Sequence, residues 1–166
     1  MTDRRKLFLP FVLSIVFLAG CNSSTSPPTP GSMTATVNGS AWSSTVIPGV
    51  SGGSKAYRNG NILTVTGLSS TLTQITIEIY SPKVGTDSLG ISGDNAAYSR
   101  VIAVNDTLVY SSLPSLDGPF AGAATITAFD TVNKFISGQF HFVGRRATNL
   151  SDTVTVTNGS FYQVGW

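Results

Sequence analysis

The amino-acid sequence predicts an all-β domain, an antiparallel β-sandwich or closed barrel of about ten short strands. Three observations carry that expectation. Asn38-Gly39, Asn59-Gly60 and Asn158-Gly159 each separate short β-prone runs, and Asn-Gly is favoured in two-residue hairpins because both central positions need positive φ. Ile75, Ile77 and Ile79 alternate with Gln74, Thr76 and Glu78, the period of a strand with one buried and one wet face. Beyond residue 20 no stretch repeats apolar residues at helical spacing, and no fixed-period repeat points to a solenoid or propeller.

Two-residue loops at the three Asn-Gly sites pair Ala35 with Trp42, Tyr57 with Ile62, and Val156 with Phe161, each pair placing apolar groups on one face. Further strands are expected near 96–103 and 107–111, with Pro114 and Pro119 marking 112–120 as a loop. The most detailed register lies between 121 and 143. With Asp130 to Lys134 as a loop, Ala128 meets Ile136, Ile126 meets Gly138, Ala124 meets Phe140 and Gly122 meets Phe142, so small residues face large ones. The opposite, solvated face pairs Thr127 with Ser137, Thr125 with Gln139 and Ala123 with His141.

Ahead of these strands the chain divides into residues 1–20, a signal peptide, residues 21–32, a tether opened by Cys21, and residues 33–166, a single β-domain. Arg4, Arg5 and Lys6 precede the apolar run Leu7 to Leu18, which closes on Ala19-Gly20-Cys21. The run is shorter than the roughly 18 to 20 residues needed to cross a bilayer, and Pro10 would disturb a membrane helix. Leu18-Ala19-Gly20-Cys21 resembles the lipobox of bacterial lipoproteins. That resemblance implies acylation of the Cys21 thiol, cleavage after Gly20 and a membrane contact made by lipid. Residues 22–32 hold three prolines and no large apolar side chain, so they suit an extended spacer.

Removal of the signal changes the charge argument. Of 10 basic and 8 acidic residues, Arg4, Arg5, Lys6 and Asp3 leave with residues 1–20, so 7 of each remain and no basic run survives. Nucleic acid is therefore not an expected partner. Cys21 is the single cysteine, so disulfides cannot brace the fold.

Few side chains offer chemistry, and the expectation is a protein that is not an enzyme, with no cofactor, no metal and no catalytic residue. His141 is the only histidine and Glu78 the only glutamate, and both alternate outward on their strands. An exposed structural role is the plainer reading of each. Asp94 in Ser92-Gly93-Asp94-Asn95 suits an Asx turn better than a calcium site. Trp42, Tyr57, Tyr80, Tyr98, Tyr110 and Tyr162 could line a carbohydrate or lipid pocket, or simply fill the core and its rim. Asp87-Ser88-Leu89, Asp106-Thr107-Leu108, Asp130-Thr131-Val132 and Asp152-Thr153-Val154 repeat one pattern. It resembles an O-glycosylation sequence of exported proteins in some Gram-negative bacteria, making Ser88, Thr107, Thr131 and Thr153 candidate attachment sites. Turn chemistry, with Asp capping a loop before a β-branched strand opener, produces the same pattern.

The segments Thr34-Ala35-Thr36-Val37-Asn38-Gly39-Ser40-Ala41-Trp42, Ile126-Thr127-Ala128-Phe129-Asp130, Ile136-Ser137-Gly138-Gln139-Phe140 and Thr157-Asn158-Gly159-Ser160-Phe161 resemble those of small uncharacterised all-β bacterial lipoproteins. The resemblance brings no activity and no catalytic residue with it. The expected function is a non-catalytic cell-envelope lipoprotein, a binding or structural β-domain at the outer membrane with an envelope protein or a glycan as partner. Asn22-Ser23-Ser24-Thr25 lacks a charged surface-export tag, so both periplasmic and surface-facing placements stand. The competing expectation is a lipocalin-like carrier of a small apolar ligand in a barrel mouth.

Overall fold

Residues 28–46, 53–90, 94–103, 106–112 and 122–166 are described by the structure, a computed structural model. Eleven strands follow in chain order: β1 (Ser32–Val37), β2 (Ser40–Ser43), β3 (Gly53–Asn59), β4 (Ile62–Leu68), β5 (Thr73–Tyr80), β6 (Gly85–Leu89), β7 (Asn95–Ala103), β8 (Asp106–Ser111), β9 (Gly122–Asp130), β10 (Phe135–Arg146) and β11 (Asn149–Gly165). No helix occurs among the described residues. The strands form one curled antiparallel sheet, a half-barrel, in the order β2-β1-β11-β10-β8-β7-β5-β4-β3, with β9 alongside β10 and β6 alongside β9.

Strand β10 thus carries two neighbours on one edge. Phe135 to Phe142 pair with β9, Arg145 and Arg146 pair with β8, and β11 runs along the other edge. Such a fork requires the long strands to bend, and β11 bends at two bulges, where two of its residues oppose one of β10. Thr157 and Asn158 oppose His141, and Tyr162 and Gln163 oppose Ser137. Asn158 and Gln163 take positive φ of 51° and 45°. The displaced Gln163 N–H donates to Ser137 Oγ at 2.9 Å, so the second bulge leaves no orphaned donor there.

The three Asn-Gly sites come out differently. Asn38 and Gly39, with φ of 47° and 81°, make the two-residue turn between β1 and β2, and Ala35 pairs with Trp42 as expected. At the second site the turn residues are Gly60 and Asn61, not Asn59 and Gly60. Asn59 pairs with Ile62 and Tyr57 with Thr64, because Gly60 at φ 58° takes the first central position, where a type II′ turn wants glycine. The two-residue slip keeps Tyr57 and Ile62 on one face, and that face is solvated. At the third site the chain does not reverse. Asn158-Gly159 lies inside β11 as a bulge; Val156 pairs with Val37 and Phe142, and Phe161 with Met33 and Gly138.

Between β9 and β10 the pairs Ile126–Gly138, Thr125–Gln139, Ala124–Phe140, Ala123–His141 and Gly122–Phe142 form as the alternation predicts. Nearer the turn the register moves by one residue: Phe129 meets Ile136, Ala128 meets Ser137, and Thr127 is bulged out. The cause is a tighter turn. The Asp130 carboxylate accepts the backbone N–H groups of Val132 and Asn133, each at 2.8 Å, closing a four-residue loop in place of five.

The core lies inside the curl, where Met33, Trp42, Leu63, Val65, Ile75, Ile77, Phe140, Phe142 and Phe161 are buried. Gly67 of β4 shows how closely the two limbs approach: a Cβ there would lie 2.7 Å from the Met33 sulfur and 2.9 Å from the Trp42 ring. The Trp42 indole N–H donates to Thr73 Oγ1 at 2.8 Å, so burial does not strand it. Phe140 occupies the space that Ala124 and the side-chain-free Gly159 leave, with its centroid 6.2 Å from Phe161 and 6.5 Å from Phe142. Phe140→Ala should therefore cost about 3 to 5 kcal/mol of unfolding free energy in urea. His141→Ala, one residue on and exposed, should stay within about 0.5 kcal/mol of wild type.

Candidate groove on the outer sheet

The bulge that bends β11 also shapes a depression of about 570 Å³ on the outer face. Its walls follow from strand alternation. Gln139 and His141 point outward on β10 because Phe140 and Phe142 between and beyond them point into the core. Across from them β9 contributes Ala123 and Thr125. On the other side, the two-against-one geometry sets Thr157 and Asn158 opposite His141. Gly159 and Ser160 continue the wall along β11. A side chain at Gly159 would point inward and run into the Phe140 ring, so only backbone faces the groove at this position.

Hydroxyl pairs extend the groove on both flanks. Thr125 and Thr86 share a hydrogen bond of 2.9 Å, as do Ser160 and Thr34. Among the described residues the lining includes two amides, several hydroxyls and one imidazole, but no carboxylate, lysine or arginine. It can donate and accept hydrogen bonds to a neutral polar ligand. It offers no acid to orient His141, as nucleophilic catalysis requires.

The other residues singled out by sequence lie apart from one another. Cys21 is outside the described residues. Ser88 is half-buried on β6 opposite Ala123, whereas Thr107 on β8, Thr131 in the β9–β10 turn and Thr153 on β11 are exposed. The turn reading of the Asp-Ser/Thr pattern holds for Asp130, and Asp106 opens β8, but Asp87 and Asp152 lie within strands. Asp152 is held there by the Tyr110 hydroxyl at 3.3 Å and the Arg146 guanidinium at 3.7 Å. Burial, and next the Asp152 charge, hold the Tyr110 phenol above its ordinary value, so it stays a neutral donor. These two residues line a smaller cleft of about 170 Å³ with Tyr98 and Arg100.

Glu78 is half-buried opposite Thr64 and Asn95. Asp94 accepts the Tyr80 backbone N–H at 2.6 Å, so its carboxylate serves the backbone. Among the described residues no group of three or more His, Cys, Asp or Glu could hold a metal ion. Thr157 and Asn158 are the groove residues that sequence reasoning missed, because the Asn-Gly pair read as a hairpin turn.

Fold and groove together define an all-β half-barrel domain with a neutral, hydrogen-bonding depression on its outer face. The chain belongs to the family described as a domain of unknown function, DUF6252, whose model matches residues 29–165. No curated protein matches it, and no solved structure does.

Asp130 yields a pH prediction. The backbone N–H of Asn133, then its side-chain amide, hold this exposed carboxylate below its ordinary value of 3.8. A lowered folded value means that the contribution is complete above pH 3.8 and is lost as pH falls through the folded value. Melting temperature measured down that acid window should fall less steeply for Asp130→Ala than for wild type.

Proposed function

We propose that this chain is a non-catalytic lipoprotein of the bacterial cell envelope, anchored at the outer membrane through Cys21, that presents its outer groove to an uncharged glycan. One observation carries the ligand class: among the described residues the groove is lined by amides, hydroxyls and a single imidazole, with no carboxylate, lysine or arginine. Such a lining matches sugar hydroxyls, each of which donates and accepts. The Ala123 side chain and the bare backbone at Gly159 leave an uncharged surface that suits the C–H face of a sugar ring. Each strand that builds the groove, β9, β10 and β11, already has partners on both edges, so an extended peptide would find no free backbone to pair with there.

The filled interior supports this binding role over the carrier. Phe140, Phe142, Phe161, Met33 and Ile75 occupy the inside of the curl, the space a barrel carrier would keep open for its ligand. The lipid anchor rests on the Leu18-Ala19-Gly20-Cys21 pattern and the spacer behind it. Acylation needs the Cys21 sulfur, so Cys21→Ala should leave residues 1–20 attached and the protein without lipid, as read by intact mass.

Binding is tested by titrating the purified protein with a panel of neutral oligosaccharides. At least one should bind, and Gln139→Ala and His141→Ala should each weaken it about tenfold, the loss expected for one good hydrogen bond. Unchanged affinity in both variants would place the ligand elsewhere, and a panel without a binder would remove the glycan reading.

A further inference from the structure

Five of the nine large apolar side chains exposed among the described residues lie at one end of the sheet, the end where the spacer enters. Gly31 donates its backbone N–H to Tyr162 at 2.8 Å and Ser32 pairs with Tyr162, which fixes the start of β1 beside the last turns of β11. Four residues beyond Tyr162, the Trp166 ring lies 4.4 Å from the Lys134 ammonium and 5.8 Å from the Arg58 guanidinium. That contact brings the β9–β10 turn and the end of β3 to the same place. The β3–β4 turn follows, and Asn61 accepts the N–H of Ser81 at 2.7 Å, adding the loop after β5.

Tyr57, Ile62, Tyr80, Val84 and Val132 are carried by these segments, with exposures from 40% at Ile62 to 85% at Val132. Ile62 and Tyr80 are direct cross-strand partners, and Tyr57 follows diagonally on β3. Tyrosines exposed beside aliphatic side chains are the composition of a membrane-interface belt, where an amphipathic ring sits among headgroups. Basic groups here are Lys55, Arg58, Lys83 and Lys134 and acidic ones Glu78, Asp94 and Asp130. The near balance assigns the attraction to the apolar and aromatic surface, not to anionic lipid.

We infer that this end of the half-barrel docks on the lipid surface that holds the anchor, seating Tyr57, Ile62 and Tyr80 at headgroup depth. The inference rests on reading Cys21 as the acylated residue. Only six residues separate Cys21 from Pro28, where the described chain begins, and the seven steps between the two reach about 25 Å when fully extended. The bilayer is therefore held within a spacer's length of this end at high effective concentration, and a contact too weak to bind free protein suffices to orient tethered protein. Docking by this end leaves the opposite end, with the β10–β11 turn and Leu150, turned away from the lipid.

The test uses the full lipidated protein, reconstituted in phosphatidylcholine vesicles. With Cys21 acylated, a cysteine introduced elsewhere is the only free thiol and can carry an environment-sensitive fluorophore. Labels at Tyr57→Cys, Tyr80→Cys and Val132→Cys should shift to the blue and be quenched by nitroxide-labelled lipid, while a label at Leu150→Cys should do neither. Solvent-like emission at all four positions in vesicles that still float with the protein overturns the docking and leaves the anchor intact. Shielding that grows with protein density and resists lipid quenching overturns it in favour of a second copy on this face. Failure of the wild-type protein to float with vesicles overturns the anchor and the docking together.

Discussion

The forked edge of β10 is the constraint on which the rest of this structure depends. One strand pairs first with β9 and then with β8, and it can serve both only if it and β11 change direction along their length. Backbone geometry supplies the change at Asn158 and Gln163, where positive φ and an extra residue turn a straight ladder into a bent one. Packing then requires side chains to be absent at set points. Gly138 is one, since a Cβ there would sit 2.5 Å from both the Phe161 ring and the Thr125 carbonyl oxygen. The core aromatics fill the inside of the bend, and the groove is the same bend seen from outside.

Sequence made some of this legible and hid the rest for a physical reason. The alternation of Ile75, Ile77 and Ile79, the Asn38-Gly39 turn and the pairing of Phe140 with Ala124 rest on period-two burial and on backbone positions that few residues tolerate, and each appears in the sheet. Asn158-Gly159 shows where local chemistry stops being decisive. An αL residue followed by glycine serves both a hairpin and a bulge, and which one forms depends on the strands lying alongside. Here β1 and β10 flank the site on both sides, so the chain runs through. Nothing within a few residues of Asn158 encodes those neighbours.

The groove inherits the same division. Gln139 and His141 were readable as outward-facing because they alternate with Phe140 and Phe142, whereas Thr157 and Asn158 joined them only once the bulge was known. The Asp-Ser/Thr pattern divides likewise. Asp130 closes its own turn through bonds to residues two and three ahead, a local arrangement sequence can anticipate. Asp152 is held by Tyr110 and Arg146, and Tyr110 lies forty-two positions away in the chain.

Strand β1 has its partner at the far end of the polypeptide: Ser32 lies beside Tyr162. Loops of that length close slowly, because chain entropy must be spent before any contact between the ends repays it. Until β11 is available, β1 lacks one ladder and β10 lacks the strand along its full edge, so an emerging chain has no finished half to fold around. Such a topology delays closure until the last strand of the chain is in place.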